Sequence, residues 1–212
     1  GPLLAKLESL GVSGSVLQWI RAWLTGRTKR VVLNGKASTW SEVGSGVLQG
    51  SILGPILSDV HINDIDLMAV LIQLLKKFAD DTKLGNKADT QDQRDDLQQT
   101  LNNLVKWASD WGMSFNVGKC KVMHLGRSNV RQAYFMDGVE LGKTEKERDI
   151  GVLIQDNLRP AEQCAKAAAT ASRVLGQISR TFHYRDRHTF VKLYQQYVRP
   201  HLEFATPAWA PW

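Results

Sequence analysis

The pattern of apolar and polar positions predicts both helices and strands in the first part of the chain. Apolar residues recur at helical spacing over residues 3–24, interrupted by two glycines, which predicts two short helices. Between Thr28 and Glu42, β-forming residues flank Asn34-Gly35, a pair that favours a β-hairpin. A glycine-rich loop follows over residues 44–50, and helical spacing returns over residues 52–66.

The pattern then predicts a buried strand over Val70–Leu75 and a turn with a returning strand over residues 78–84. Residues 92–111 keep their apolar side chains on one side, as in an amphipathic helix. The further segments with a β pattern are residues 114–117, 120–125, 134–136, 139–141 and 150–154.

The last third of the chain is predicted to be helical. Helical spacing extends over residues 161–182 and again over residues 187–198, and Pro200 predicts the end of the second helix. The fold class predicted from these elements is α+β, with a sheet in the middle of the chain and helices after it.

Composition and charge exclude several classes of protein. The 27 Lys and Arg residues outnumber the 21 Asp and Glu residues, and the resulting net charge of +6 suits a polyanionic partner without identifying it. Cys120 and Cys164 stand 44 positions apart with no CxxC or Cys/His spacing, so we expect no zinc site and no disulfide scaffold. No apolar run is long enough to cross a bilayer, and we expect an intracellular, cytoplasmic or nuclear protein with no membrane partner.

Two pairs of adjacent aspartates differ in their setting. Asp95-Asp96 begins an amphipathic helix, where acidic residues favour the positive end of the helix dipole. Asp80-Asp81 lies instead between apolar segments, at the turn of a predicted hairpin, where two carboxylates repel each other. A bound divalent cation would offset that repulsion. On the residues alone, both a metal site and an ordinary turn remain open.

Six motifs, in order along nearly the whole chain, resemble those of reverse transcriptases from non-LTR (LINE) retrotransposons, most closely the chicken-repeat type. Phe78-Ala-Asp-Asp-Thr82 is similar to the family's FADDT box. The other segments that carry the resemblance are Ser45–Pro55, Ile62–Asp64, Phe115–Gly126, Glu147–Leu153 and Tyr197–Glu203.

The resemblance implies an RNA-directed DNA polymerase that uses Mg²⁺ or Mn²⁺ in a two-metal site, with Asp80 and Asp81 as catalytic metal ligands. Ala79 would be small because the primer terminus passes close to the turn. Lys119, or alternatively Lys121, falls where the family carries a lysine near the triphosphate, a candidate proton donor to pyrophosphate.

The glycine-rich loop matches the family segment that packs against the template base and the incoming nucleotide. Gly46 and Gly50 would permit close backbone approach, and the amide of Gln49 offers both a donor and an acceptor. The partners implied are an RNA template, a DNA primer and a deoxynucleoside triphosphate. Several cations could contact phosphates, although each taken singly favours a solvated surface charge: Arg21, Arg27, Lys29, Arg30, Lys192, Arg199 and His201. The tryptophans at helical spacing favour core positions over base stacking: Trp19, Trp23, Trp107 and Trp111.

The resemblance also implies an organisation into three parts. Residues 1–126 would form a partial palm, an antiparallel sheet with helices on one face. Residues 127–160 would form a β-rich connection, and residues 161–212 a helical, thumb-like segment. No residue matches the motif that carries the family's third carboxylate, so we expect the fingers and the first palm strand to be missing.

Two positions depart from the family pattern. Leu48 replaces the proline of the family's P-Q-G loop, and residues 58–61 (Ser-Asp-Val-His) replace a segment that is usually F-N-I-F. Polar groups there would cost a few kcal/mol if the site were buried. Two hypotheses follow: a polymerase domain that functions within a longer chain, or an inactive remnant with at most weak nucleic-acid binding.

Overall fold

The computed structural model describes residues 1–79, 81–184 and 186–210. The chain divides into two compact units, Gly1–Phe115 and Asn116–Trp212. The division into palm, connection and thumb at residues 126 and 160 stays a prediction. Within the described residues, no helix is long and apolar enough to cross a membrane.

The first unit is built around four helices, and the two predicted at its start are confirmed. They are α1 (Pro2–Ser9), α2 (Gly14–Leu24), α3 (Leu53–Ile62) and α4 (Gln91–Asp110), with a 3₁₀ segment, Asn63–Ala69, that continues α3. The core of α1, α2 and α3 consists of the side chains with helical spacing that the sequence places on one face: Leu7, Leu17, Ile20 and Leu57.

The long helix α4 is defined at its start by its own side chains. Thr90 accepts a hydrogen bond from the backbone N–H of Gln93, whose side chain in turn accepts from the backbone N–H of Thr90. This capping box satisfies donors that a helix start leaves unpaired. Farther along, Leu104 and Trp107 are buried, and α4 packs against the 3₁₀ segment.

The prediction of core tryptophans is confirmed for Trp107 and wrong for Trp19. Trp107 is 5% exposed, whereas Trp19 is 55% exposed on α2. Trp23 and Trp111 are half-buried.

The described strands form six separate two-stranded sheets, whereas the resemblance implies a single antiparallel sheet. In the first unit, β1 (Thr28–Lys29) pairs with β4 (Ser41–Glu42), β2 (Val32–Leu33) with β3 (Lys36–Ala37), and β5 (Leu74–Phe78) with β6 (Asp81–Gly85). In the second unit, β7 (Lys121–Met123) pairs with β10 (Gly142–Thr144), β8 (Phe135–Met136) with β9 (Val139–Glu140), and β11 (Lys146–Asp149) with β12 (Val152–Gln155). The β7–β10 pair is parallel and the others are antiparallel. The coarse prediction of mixed helices and strands is confirmed, and the palm itself stays a prediction.

Three of the predicted strands are wrong in position. The strand predicted over Val70–Leu75 begins at Leu74, and Val70 is 80% exposed. No strand covers residues 114–117, and the strand predicted from residue 150 begins at Val152. The first and third of these predictions extended an apolar run into a turn, because a short apolar run does not reveal where pairing starts. Residues 114–117 alternate in polarity but have no strand partner among the described residues. Strands β10 and β11 have no apolar alternation and were not predicted.

The second unit is held together by α5 (Ala161–Thr181), which packs against β12, the π-helical turn Tyr194–Val198 and α7 (Arg199–Glu203). Its small core consists of Ala171, Ile178 and Val198. The other two helices of the unit are α6 (Arg187–Leu193) and α8 (Thr206–Trp209).

The prediction that Pro200 ends a helix is wrong. Pro200 lies in α7, which directly follows the π-helical turn, so the helical segment continues past the proline to Glu203.

Candidate active site

Asp81, one of the two predicted carboxylates, belongs to the β5–β6 hairpin, whose register pairs it with Phe78. We call this pair of strands with its turn the carboxylate hairpin. Asp81 begins β6 and is exposed. Asp80, the other predicted ligand, lies outside the described residues. Among the described residues, one predicted carboxylate, Asp81, therefore lies at the turn end of the hairpin.

Ala79, at the first position of this turn, has a left-handed backbone with φ of 51°. A left-handed conformation costs a non-glycine residue about 1 kcal/mol, and alanine has no polar side chain to offset that cost locally. Strain of this kind persists where the surroundings enforce it and is concentrated at functional sites.

The two faces of the carboxylate hairpin are unequal. Leu75 lies opposite Leu84 on a half-buried face, where the ammonium of Lys77 also contacts the carboxylate of Asp66 at 3.0 Å. Phe78 and its partner Asp81 are on the other face, which is open to solvent. Asp81 is thus accessible to a ligand from the exposed face.

The carboxylate of Asp81 is the type of ligand that binds a hard cation. Carboxylate oxygens are the ligands that Mg²⁺ prefers. Among the described residues, however, no three His, Cys, Asp or Glu side chains are grouped so that they could hold a metal ion. A complete site therefore requires donors beyond Asp81.

The glycine-rich loop is fixed at both ends by short contacts. Val47 packs on the core of the first three helices. The hydroxyl of Ser51 donates to the carbonyl of Leu48 at 2.6 Å and accepts from the N–H of Gly54 at 3.0 Å. A Cβ on Gly54 would lie 2.8 Å from the carbonyl oxygen of Leu48, so glycine is required for this close approach. The loop is therefore seated on the start of α3.

The three loop residues predicted to contact substrates are all exposed. Gly46 and Gly50 have φ of 80° and 82°, conformations that suit glycine, and Gln49 lies between Leu48 and Gly50 with its side chain open to solvent. Leu48, which stands where the family has proline, is 45% exposed. The side chain of Gln49 is therefore accessible to a ligand, and the contacts of Ser51 and Gly54 with Leu48 fix the loop backbone beside it.

Arg27 holds the loop in a way that the sequence pattern did not reveal. Its guanidinium donates to the carbonyl oxygen of Leu24 at 2.9 Å and to that of Gly46 at 2.5 Å. Arg27 was predicted to be a surface cation. Because both of its partners are backbone carbonyls, no residue type in the sequence could indicate them.

A half-buried charged network supports the segment that leads into the carboxylate hairpin. The ammonium of Lys6 donates to Asp64 at 2.6 Å and to the carbonyl of His61, and the indole N–H of Trp107 donates to the same oxygen of Asp64 at 3.0 Å. Lys6 also lies 3.7 Å from the centre of the Trp111 ring, a cation–π contact. The network ties α1 to α3, the 3₁₀ segment and α4.

The polar replacements at residues 58–61 have unequal consequences. Ser58 and Asp59 are exposed, so no burial cost applies to them. His61 packs edge-on against Trp111, and its Nδ1 is buried without a hydrogen-bond partner among the described residues. Burial, and secondarily the charge of Lys6, lowers the pKa of His61 below its usual value.

Lys119 belongs to the second unit. It ends a 3₁₀ turn, Val117–Lys119, just before β7, and its side chain is exposed, as is that of Lys121. Beside it, burial raises the pKa of the Cys120 thiol. The predicted role of either lysine near a triphosphate stays a prediction.

Comparison with known proteins identifies the family. A sequence model described as "Reverse transcriptase (RNA-dependent DNA polymerase)" matches residues 2–179. The chain belongs to the reverse transcriptase family. The match includes the carboxylate hairpin, the glycine-rich loop and Lys119, and it ends before the Tyr197–Glu203 segment.

The curated relatives of this reverse transcriptase domain are polymerases of mobile elements, which agrees with the predicted LINE type. It is 29% identical over 164 residues to the RNA-directed DNA polymerase from mobile element jockey of Drosophila funebris, covering 74% of this chain and 18% of that protein. The jockey polymerase of Drosophila melanogaster is 30% identical over 108 residues, 48% of this chain and 12% of that protein. The probable RNA-directed DNA polymerase from transposon X-element of Drosophila melanogaster is 26% identical over 144 residues, 66% of this chain and 16% of its own length. The chain therefore spans less than a fifth of the relatives it matches, and no solved structure matches it.

Proposed function

We propose that this domain takes part in RNA-directed DNA polymerisation, with Asp80 and Asp81 as two of the three carboxylates of a two-metal site. The observation that carries the proposal is Asp81, which is exposed at the start of β6 in a hairpin whose other face is half-buried. When bound, the two metal ions would stabilise the attacking and leaving oxygens of an in-line displacement at phosphorus.

The remaining residues would position the substrates. Gln49, on a loop fixed by Arg27, Ser51 and Gly54, would contact the template base or the incoming nucleotide through its amide. Ala79 would leave room for the primer terminus, and Lys119 would donate a proton to the leaving pyrophosphate. The substrates proposed are an RNA template, a DNA primer and a deoxynucleoside triphosphate, with Mg²⁺ or Mn²⁺ as cofactor.

The third carboxylate of the proposed site has no counterpart within these 212 residues. Two carboxylates would hold a divalent cation weakly, so we expect the chain by itself not to polymerise. The palm, connection and thumb at residues 1–126, 127–160 and 161–212 are proposed as the parts of a longer polymerase.

The second candidate is an inactive remnant of such a polymerase. The observation that favours it is His61, whose buried Nδ1 has no partner among the described residues where the family usually has an aromatic side chain. An unpaired buried nitrogen destabilises the fold without serving the proposed site.

A chimera separates the two candidates. In the jockey polymerase of Drosophila funebris, the segment that matches this chain is replaced by the chain's own residues, and extension of a DNA primer on poly(rA) is measured with Mg²⁺. We expect incorporation that falls at least about a hundredfold in Asp80→Asn and in Asp81→Asn, because each removes a proposed metal ligand. Asp95→Asn, in the other aspartate pair, is the matched control and should leave the rate within about twofold of the parent chimera.

A folded chimera that binds the primer and template but does not extend it would favour the remnant. The isolated chain should show no incorporation in the same assay. Incorporation by the isolated chain that disappears in Asp80→Asn would contradict the requirement for a third carboxylate.

A further inference from the structure

The hairpin at residues 28–42 exposes several apolar side chains. We call this segment, β1 to β4, the basic arm. Val31 is 71% exposed and Leu33 is 72% exposed. Val32, on the opposite face from Leu33, and Trp40 are also exposed. Apolar side chains are therefore exposed on both faces of the arm.

The charged side chains of the basic arm are all positive from residue 28 to residue 41. Lys29, Arg30 and Lys36 are exposed, and no Asp or Glu occurs from residue 28 to residue 41. The guanidinium of Arg30 lies 4.6 Å from the centre of the Trp40 ring, so a cation and an aromatic surface are presented together. Cations interleaved with an aromatic side chain suit a nucleic-acid chain, since phosphates take the cations and bases stack on the ring.

The base of the arm is joined directly to the glycine-rich loop. The N–H of Val43 donates to the carbonyl of Arg27 at 2.9 Å, and the guanidinium of Arg27 holds the carbonyl of Gly46. Only three residues separate the end of β4 at Glu42 from Gly46. A nucleic-acid chain lying on the arm would therefore lead toward Gln49.

We infer that the basic arm binds the phosphates of a nucleic-acid chain and guides it toward the loop that carries Gln49. This inference rests on the proposed function for the identity of the substrate and names a surface that the proposed site does not include. An apolar protein partner or a second copy of the chain would match Val31 and Leu33, but neither would account for three cations without an intervening carboxylate.

The test is the affinity of the full 212-residue chain for a fluorescein-labelled RNA annealed to a DNA primer, measured by anisotropy across a salt series. A parallel series with single-stranded DNA of the same length distinguishes duplex from single-chain binding. Replacing Lys29, Arg30 and Lys36 together by Gln should weaken binding at least about tenfold and reduce the slope of log affinity against log salt by about 2. Trp40→Ala should weaken binding about threefold or more with little change in the slope.

The matched control removes the same charge from exposed positions on other elements. Lys87→Gln, Lys106→Gln and Arg173→Gln, combined in one variant, should change the affinity less than about threefold. Far-UV circular dichroism checks that both triple variants fold. Equal weakening by the two triple variants, or no binding by the wild-type chain, would overturn the inference.

Two further outcomes keep the inference separate from the proposed function. The Asp95→Asn chain should bind like the wild type, because Asp95 lies on α4 and belongs neither to the arm nor to the proposed site. If the arm variants kept the affinity of the wild type for nucleic acid while the chimera still required Asp80 for primer extension, the inference would be wrong. The proposed function would be unaffected by that result. If the chain were a dimer, and Leu33→Ser dissociated that dimer without changing the affinity for nucleic acid, the arm would be a self-association surface and the inference would be wrong.

Discussion

The two hairpins of the first unit differ in the residues that have left-handed backbone at their turns. The basic arm turns through Asn34 and Gly35, with φ of 49° and 77°, and both residue types adopt left-handed backbone readily. The carboxylate hairpin begins its turn with Ala79 at φ of 51°, although alanine disfavours that region. One turn follows local preference, and the other keeps a strained residue beside the proposed ligands.

The support beneath the two hairpins differs as well. The arm has exposed side chains on both faces, whereas the carboxylate hairpin has one half-buried face and an ion pair from Lys77 to Asp66. The network of Lys6 and Asp64 holds the segment just before it. The comparison indicates that the proposed catalytic turn is held by the core, while the arm stands free to meet a partner.

The largest expected effect comes from removing the support of the carboxylate hairpin. Lys6→Ala should lower the free energy of unfolding by about 3 kcal/mol, because it leaves Asp64 without the cation that it faces in a half-buried site. Lys36→Ala, on the basic arm, should change it by less than about 0.5 kcal/mol. Urea denaturation followed by tryptophan fluorescence measures both. Equal losses in the two variants would show that the hairpins do not differ in support.

The next effect concerns Arg27, at the base of the arm. Arg27→Ala removes two charge-assisted hydrogen bonds to backbone carbonyls and should cost about 1–2 kcal/mol. Arg30→Ala removes only an exposed cation–π contact and should cost about 0.5 kcal/mol. The same urea titration compares them. If Arg27→Ala lowered the free energy of unfolding no more than Arg30→Ala, the contacts of Ser51 and Gly54 would be enough to hold the loop without Arg27.

Exchanging residues at the two turns should have effects of opposite sign. Asn34→Ala introduces left-handed strain and should destabilise the chain by about 1 kcal/mol. Ala79→Asn relieves the same strain and should stabilise it by up to about 1 kcal/mol. Thermal unfolding of the two variants beside the wild type provides the measurement. A loss of stability in Ala79→Asn would show that the turn is not strained.

The sequence pattern predicted the elements better than their assembly. The Asn34-Gly35 hairpin and the helices with a regular apolar face follow from local residue preferences, and the structure has a hairpin or helix in each place. The burial of Val70 was predicted wrongly because a run of apolar residues carries no information about which face meets a core. Pairing between strands is a contact between distant segments, and short two-stranded sheets leave little trace in the pattern.

The candidate site was predicted through its motif residues and not through the residues that hold them. Gln49 and Asp81 stand out because their types suit the chemistry. Arg27, Ser51 and Lys6 act through backbone carbonyls or through Asp64, partners that only the folded chain brings together. One sequence signal could have indicated the contact of Lys6 with Asp64. Lys6 is a lysine beside the apolar positions of α1, and Asp64 belongs to one of the recognised motifs.

The smallest expected effect is a pH dependence of the support beneath the carboxylate hairpin. Burial, and secondarily the charge of Lys6, lowers the pKa of His61 below its usual value of about 6.5, whereas the charge of Asp64 raises it by less. Protonation therefore favours the unfolded chain. The contribution of His61 to stability is present above about pH 6.5 and is lost as the pH falls through the folded-state pKa.

The test of this dependence is the urea midpoint at about pH 7.5, 6 and 5. The wild-type midpoint should fall with pH, and His61→Phe should reduce that fall by removing the titrating group and the unpaired Nδ1 together. His124→Phe is the matched control in the second unit, where burial and Lys143 lower the pKa of His124. If His61→Phe kept the full pH dependence while His124→Phe removed it, the titration would belong to the second unit. The basic arm contains no histidine, so its nucleic-acid affinity should not follow either change.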